Sequence, residues 1–251
     1  MKSIFVENNS DNLKKKILNK LEKYNVCVLK NFIQEDKINK IFNILKKRNK
    51  NNKDIRLSGK FFYKMNDYKR LDIGECYTNP RFARFILLNE WKNKNKNFFN
   101  LVKPMINFRN NLSGISKDKY HVYHNLEKRK NNRYHFCDLV RMIQYPSGGG
   151  FLNCHNDYDP FYPDSMINML MPVTSKITKS KNLKTYETGG LYYMINKKLF
   201  LIDDYIHPGD LIFHNQKIDH GVKTIDPYNN LNLNSLNGRV TINFSIGKFY
   251  I

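Results

Sequence analysis

The sequence is poor in several features that define particular protein classes. It has only four cysteines, Cys27, Cys76, Cys137 and Cys154, and no C-x-x-C pair, which disfavours a disulfide scaffold and a zinc ribbon. It contains no apolar run of about eighteen residues, so no transmembrane helix or membrane insertion is predicted. The first residues, MKSIFVENNSDNLKKK, lack the apolar core of a secretory signal. These absences favour a reducing, cytoplasmic setting.

Acidic residues are scarce as well, with 22 Asp and Glu against 43 Lys and Arg. Residues 1–130 hold 31 of those 43 bases, so the excess charge belongs to the N-terminal half. One interpretation is a basic surface for nucleic acid or another anion. The other is biased residue usage, because 33 Lys and 36 Asn are interleaved, as in KKRNKNNK, and both have A/T-rich codons. We favour biased usage, since aromatic residues do not alternate with the basic runs as stacking on single strands requires.

The first half of the chain has helical periodicity around one strand. Apolar residues recur at helical spacing in DNLKKKILNKLEKY and in QEDKINKIFNILKKRNK, and the β-rich segment NVCVLKNF lies between them. The second of these helices has its acids first and its bases last, as the helix dipole prefers. A further helix is predicted to begin at Asn79-Pro80 and to run through RFARFILLNEW.

The second half is a series of short apolar or alternating segments separated by Gly, Pro, Asp and Asn. They are DLVRMIQYP, MINMLMPV, GGLYYMI, LFLIDDYI, DLIFHN and RVTINFSIG. Many short strands with turn signals between them predict a sandwich or barrel. Because no Pro/Ser-rich linker separates the halves, we expect one domain over residues 1–251, helix-rich over 1–137 and β-rich over 138–251.

The stretch NCHNDYDPF places a histidine and an aspartate two residues apart. On a strand His155 and Asp157 project from the same face. A third ligand is available in HPGDLIFHNQKIDHGV, where His220 competes with His214. We favour His220 because a glycine and an apolar residue follow it. Two histidines and one carboxylate leave coordination positions open and are diagnostic of non-haem Fe(II) oxygenases.

Nineteen residues after His220, the segment GRVTINFSIG places Arg239 and Thr241 on one face of a strand. An inward-facing arginine is costly unless it is paired with an anion. A guanidinium with a hydroxyl beside it suits a carboxylate. The dicarboxylate 2-oxoglutarate fits this requirement, since it chelates iron at one end and presents a carboxylate at the other.

The ordered segments CHND, ETGGLYY, HPGDLIFHNQKIDHGV and GRVTINFS resemble the core of the Fe(II)/2-oxoglutarate-dependent oxygenases. The resemblance covers roughly residues 138–249. The segment EKYNVCVLKNFIQEDKINKI is similar to the entry of the phytanoyl-CoA hydroxylase-like and prolyl-hydroxylase-like branches. The resemblance implies an α+β, mainly β fold, with a jelly-roll or cupin-like double-stranded β-helix core and helical N-terminal support.

The resemblance also implies roles for particular residues. It implies three ligands of Fe(II): His155, Asp157 and His220. Arg239 would bind the far carboxylate of 2-oxoglutarate with help from Thr241, and Tyr145, ten residues before His155, would contact the same cosubstrate. Collagen-type prolyl hydroxylases have lysine where this chain has Arg239. Halogenases of this family have Gly or Ala in place of the carboxylate ligand, so Asp157 favours hydroxylation.

The function implied is hydroxylation of an unactivated C–H in a small molecule, such as an amino acid or related metabolite. The reaction would consume O2 and 2-oxoglutarate, release succinate and CO2, and use ascorbate as a supporting reductant. No catalytic residue beyond the metal ligands is assigned. Features around Tyr145 leave a peptidyl, prolyl-type hydroxylase open, and the basic half leaves open a nucleic-acid or anion-binding module on a vestigial fold. Substrate specificity is predicted to lie in residues 54–75, 110–135 and 158–166.

Overall fold

The computed structural model describes residues 2–9, 11–51, 53–54, 67–74, 81–90, 92–114, 134–158 and 166–250. Within these ranges the α-helices are α1 (Leu13–Tyr24), α2 (Glu35–Asn51) and α3 (Lys96–Leu112). The first strands are β1 (Phe5–Glu7), β2 (Val26–Lys30), β3 (Tyr68–Ile73), β4 (Arg81–Leu87), β5 (Tyr134–Tyr145) and β6 (Leu152–His155). The remaining strands are β7 (Ile167–Pro172), β8 (Gly190–Ile195), β9 (Lys198–Leu201), β10 (Leu211–Asn215), β11 (His220–Lys223) and β12 (Arg239–Tyr250).

The strands form two sheets. The larger has the order β1-β2-β10-β7-β12-β5-β4-β3, and the smaller has the order β6-β11-β8-β9. From β5 onward the chain alternates between them, because β5, β7, β10 and β12 belong to the larger sheet while β6, β8, β9 and β11 belong to the smaller. This winding is that of a double-stranded β-helix, so the mainly β core expected from the sequence is confirmed.

The helices cover the outer face of the larger sheet. The predicted apolar faces of α1 and α2 are buried, with Ile17 and Ile41 fully enclosed, and both pack into one cluster with α3 and the sheet. β12 shows how the strand period divides the two faces. Val240 and Ile242 belong to this helix-side cluster, whereas Arg239 and the alternate residues after it line a cavity on the opposite face.

The helix predicted through RFARFILLNEW is wrong, because Arg81–Leu87 form strand β4, paired with β3 and β5. A short apolar run fits a buried helix and a buried strand equally well by periodicity, and here the pairing on both edges decides. Phe85 faces the smaller sheet and Ile86 faces the helices, so both sides of the strand are buried. The start predicted at Asn79-Pro80 lies outside the described residues.

The stretches predicted to carry specificity are only partly described. Residues 55–66, 115–133 and 159–165 lie outside the described ranges. Of the remainder, Arg70 and Asp72 on β3 reach the same cavity that Arg239 lines.

Candidate metal centre

Strand pairing in the smaller sheet brings the two predicted histidine ligands together. His155 ends β6 and His220 begins β11, and the two residues are direct partners in the antiparallel register. Their ring centroids are 4.4 Å apart. Each ring places Nδ1 against the carbonyl oxygen two residues earlier, at 2.9 Å for His155 and 3.1 Å for His220. An Nδ1–H that donates to a carbonyl leaves Nε2 with its lone pair free for a metal.

Asp157 completes this group just beyond the end of β6. Its backbone N–H donates to the carbonyl of Gln216 at 3.0 Å, which fixes the chain as it leaves the strand. Its carboxylate oxygens lie 3.7 Å from Nε2 of His155 and 3.8 Å from Nε2 of His220. One ligand atom from each of the three residues lies within 4.8 Å of the other two, which is the spacing of donors around one ion.

The electrostatic setting keeps His220 and Asp157 in the forms that bind a metal. Burial, followed by the adjacent His214, lowers the pKa of His220 to about 4, so its imidazole is neutral at pH 7. Burial opposes ionisation of Asp157, but the approach of Nε2 of His214 and the electrostatic interaction with the three neighbouring histidines outweigh it. The pKa of Asp157 is therefore below the usual carboxyl range, and the group is a carboxylate.

The competing histidine, His214, lies beside the three residues rather than among them. Its Nε2 faces Oδ2 of Asp157 at 3.5 Å, the outer limit of a hydrogen bond, and its Nδ1 lies 2.5 Å from the hydroxyl of Tyr193. Burial raises the pKa of Tyr193 well above its usual value, so the hydroxyl stays a donor to Nδ1 and leaves the imidazole proton on Nε2. Asn168 also donates to Oδ2 of Asp157, at 2.9 Å.

Sequence reasoning missed the supporting roles of His214 and Asn168. The strand period could have placed His214 on the same face of β10 as Ile212. The structure adds that His214 pairs in register with Asn168 on β7. The two side chains lie side by side, next to Asp157, only because these two strands are neighbours. Neighbouring strands could not be identified from the separate segments.

Arg239 and Thr241 lie at the start of β12 and are almost fully buried, at 2% and 1% exposure. Both line the cavity that holds the histidines and Asp157. Nη1 of Arg239 lies 3.4 Å from Oγ1 of Thr241. Tyr145 is buried directly opposite Arg239 in the β5–β12 register, and burial raises the pKa of its hydroxyl, which stays protonated. The predicted cosubstrate residues therefore share one cavity with the predicted metal ligands.

The anion paired with Arg239 belongs to the protein itself, which the sequence argument did not foresee. Nε of Arg239 lies 2.6 Å from Oδ2 of Asp203, and Nη2 lies 3.3 Å from Oδ1. Asp203 is fully buried and also accepts a hydrogen bond from Tyr186 at 2.7 Å. A Cβ on Gly190 would come within 2.4 Å of the Asp203 carboxylate, so the second glycine of ETGGLYY leaves the space that this carboxylate occupies.

The cavity has a volume of about 230 Å³. Besides the residues above, it is lined by Arg70, Asp72, Phe85, Arg141, Ile143, Leu152, Leu170, Leu191, Val222 and Asn243. A larger groove of about 870 Å³ shares none of this lining and is flanked by Lys46, Lys47, Lys50, Lys181 and Lys184. We take the smaller cavity as the candidate site, because it brings together the possible metal ligands and a buried guanidinium. Over the described residues, no helix is both long and apolar enough to cross a membrane.

Comparisons with known proteins relate this chain to others by structure alone. No family model matches the chain, and no curated protein is similar to it in sequence. Among solved structures, a Trichoplax adhaerens prolyl hydroxylase, in complex with a hypoxia-inducible factor peptide fragment, has a TM-score of 0.51 at 13% identity. That match covers 93% of this chain and 89% of the hydroxylase.

Two further solved structures, an oxidoreductase and an epimerase, are similar to this chain. A 2OG-Fe(II) oxygenase family oxidoreductase from Burkholderia pseudomallei has a TM-score of 0.51 at 9% identity, covering 98% of this chain and 95% of its own. The non-haem alpha-ketoglutarate-dependent epimerase SnoN of nogalamycin biosynthesis has a TM-score of 0.57 at 6% identity, covering 94% and 84%. The chain therefore adopts the fold of the Fe(II)/2-oxoglutarate oxygenases.

Proposed function

We propose that this protein is an Fe(II)- and 2-oxoglutarate-dependent dioxygenase that hydroxylates a C–H bond of a small molecule. The observation that carries the proposal is the meeting of His155, Asp157 and His220 in one cavity with the buried guanidinium of Arg239. The fold is shared by proteins named for this chemistry, and the donor set matches what the chemistry requires.

The residues present fit the metal. Two neutral imidazoles and one carboxylate are the ligand set of a facial triad, which leaves positions for further ligands, whereas Mg²⁺ and Ca²⁺ prefer oxygen donors. In our proposal Nε2 of His155 and His220 and a carboxylate oxygen of Asp157 hold Fe(II). The backbone carbonyls behind both rings fix the orientation of the donors.

The cosubstrate fits the other end of the cavity. We assign its far carboxylate to Arg239, with Thr241 and Tyr145 as hydroxyl donors beside the guanidinium. Asp203 accepts from Nε and Nη2, so the plane of the guanidinium is set before any ligand arrives and Nη1 remains on the side of Thr241. Preorganisation of this kind lowers the entropy lost on binding.

When bound, iron and 2-oxoglutarate supply the oxidising chemistry, in which O2 is consumed, succinate and CO2 are released, and a C–H bond is hydroxylated. The chain positions the reacting groups and limits the access of water. Leu152, Leu170 and Leu191 give the cavity an apolar lining close to the histidines. In our proposal this apolar lining would receive the C–H bond that is hydroxylated.

Two other functions have an observation in their favour. A solved hydroxylase of this fold is in complex with a peptide, which favours a peptidyl substrate, although a cavity of about 230 Å³ suits a small molecule better. The lysine-lined groove favours binding of an anion or nucleic acid by a module without activity. Nucleic-acid binding that persists without iron, in a protein with no turnover, would support the second of these.

The proposal is tested with purified protein, Fe(II), ascorbate and labelled 2-oxoglutarate. We expect slow formation of succinate and CO2 without substrate, and faster formation with the right member of a metabolite panel. His155→Ala and Asp157→Ala should lose both turnover and stoichiometric Fe(II) binding. His207→Ala is the matched control, because His207 is exposed and lies outside the cavity. Intact turnover in either ligand variant would rule out this site.

A further inference from the structure

Among the described residues, three guanidinium groups line the cavity, and two of them are paired with a carboxylate of the protein. Arg239 is paired with Asp203, and Nη2 of Arg70 lies 2.9 Å from Oδ2 of Asp72. Arg141 is different. Within the described ranges it has no hydrogen-bond or ion-pair partner, and its Nε is buried. The cavity therefore has a cation that the described residues do not neutralise.

A second unpartnered polar group lies directly beside this cation. Asn243 on β12 is the register partner of Arg141 on β5, and both line the cavity. Asn243 is only 9% exposed, and its Oδ1 has no hydrogen-bond partner among the described residues. Buried polar groups are nearly always satisfied in folded proteins, so two adjacent exceptions that face one cavity indicate a missing ligand.

The cation is held in place without being neutralised. Cζ of Arg141 lies 5.9 Å from the ring centroid of Phe85, and Cζ of Arg70 lies 4.4 Å from the same centroid. An aromatic face attracts a guanidinium, but it provides no carboxylate. The edge of the Arg141 guanidinium therefore keeps its N–H donors available.

We propose that Arg141, with Asn243 beside it, binds a carboxylate of the substrate, so that the substrate is a small organic acid, free amino acids included. This inference depends on the proposed function, in which the two carboxylates of 2-oxoglutarate are taken by the metal and by Arg239. A third carboxylate is then needed for Arg141. A guanidinium presents two parallel N–H donors that match the two oxygens of a carboxylate. The unpartnered Oδ1 of Asn243 is an acceptor, so it suits an N–H or O–H of the same substrate, such as the ammonium group of an amino acid.

The experiment measures binding rather than turnover. Protein loaded with Fe(II) and 2-oxoglutarate under anaerobic conditions is titrated by calorimetry with the L-amino acids, simple monocarboxylic acids and the carboxamide of each. Short peptides with acidic side chains form a separate arm, which distinguishes a free acid from an acidic peptide. We expect at least one free acid to bind about 10- to 100-fold more tightly than its carboxamide, the range for a charged hydrogen-bonded pair.

Variants of Arg141 test whether the preference comes from this residue. Arg141→Ala and Arg141→Gln should each abolish the preference for the acid over its carboxamide and leave the affinity for 2-oxoglutarate within about twofold. Asn243→Ala should reduce acid binding less. Arg81→Ala is the matched control and should have no effect, because Arg81 is an exposed arginine stacked on Phe82 of β4, outside the cavity.

Each alternative result has a definite meaning. Equal binding of acids and carboxamides by the wild-type protein, or an acid preference that survives in Arg141→Gln, overturns the inference. So does a loss of 2-oxoglutarate affinity in the Arg141 variants as large as in an Arg239 variant, because Arg141 would then serve the cosubstrate. Failure of the wild-type protein to bind Fe(II) or 2-oxoglutarate would instead overturn the proposed function, and both are measured before any acid is added.

Discussion

Arg239 and Asp203 form an ion pair in the interior of the protein, with Nε 2.6 Å from Oδ2 and neither residue more than 2% exposed. The pair joins the first position of β12 to the short helical turn after β9. Tyr186 completes it by donating to the same carboxylate at 2.7 Å. A charge in such a place is tolerated only with its partner, so each residue depends on the other.

Asp203→Ala should therefore destabilise the protein strongly. It leaves the guanidinium of Arg239 buried without its anion, which costs about 3–5 kcal/mol in comparable cases. In a chain of this size that corresponds to a fall in melting temperature on the order of 10 °C. Thermal and urea denaturation followed by circular dichroism measure the change.

The matched control is the next residue in the chain. Asp204 forms an ion pair with Lys176, but its side chain is 45% exposed, so Asp204→Ala should change the free energy of unfolding by about 0.5 kcal/mol or less. Equal effects of the two substitutions would show that burial of the Arg239–Asp203 pair has no energetic consequence.

A double substitution separates stability from cosubstrate binding at Arg239. Arg239→Gln alone leaves Asp203 buried without its cation, whereas Arg239→Gln with Asp203→Asn replaces both charges by neutral amides. We expect the double variant to regain much of the stability lost by the single one, since paired buried charges are often replaceable by neutral groups. Its affinity for 2-oxoglutarate should stay about 10- to 100-fold below wild type, because the charged hydrogen bond is gone.

Calorimetric titration of 2-oxoglutarate into the Fe(II)-loaded protein measures this affinity. Thr241→Val is the milder variant for comparison. It removes the hydroxyl but keeps the shape of the side chain, so it should weaken binding of 2-oxoglutarate by less than about tenfold. A double variant that binds 2-oxoglutarate as tightly as the wild type would show that the far carboxylate of 2-oxoglutarate binds elsewhere.

Features that depend on residues close together in the chain could be predicted from the sequence. Features that depend on which strands are neighbours could not. His155 and Asp157 could be identified because they are two residues apart at the end of a predicted strand, although Asp157 lies just beyond the end of β6. Asp203 could not be identified, since it lies in an apolar segment, LFLIDDYI. Nothing near it in the sequence shows that a glycine on β8 leaves space for its carboxylate. Strand β4 was predicted as a helix for the same reason, because its pairing with β3 and β5 decides its conformation.

His214 illustrates this limit and provides a further prediction. The interpretation that His220 is the ligand made His214 redundant, yet it faces the Asp157 carboxylate at 3.5 Å with Tyr193 behind it. A residue that orients a ligand typically changes metal affinity by about 10- to 100-fold when it is removed. His214→Ala should therefore weaken Fe(II) binding by that amount, with one ion per chain still bound at saturation.

Competition with a chelator, followed by metal analysis, measures the effect. His220→Ala sets the upper limit, since loss of a ligand should remove stoichiometric binding. His207→Ala sets the lower limit as an exposed histidine outside the cavity. If His214→Ala matched His220→Ala, His214 would itself be a ligand. If it matched His207→Ala, the contact with Asp157 would have no role in metal binding.

Cys27 should be unreactive towards alkylation until the protein unfolds. It is fully buried on β2, opposite Phe213 of β10, and burial raises the pKa of its thiol to about 12. The thiolate is the reactive form, so at pH 8 only about one molecule in 10⁴ has it, and raising the pH towards 12 increases that fraction. Cys154 is exposed and should be alkylated by iodoacetamide in the native protein. Peptide mass spectrometry separates the two, and equal labelling at pH 8 without denaturant would mean that β2 is not packed as described.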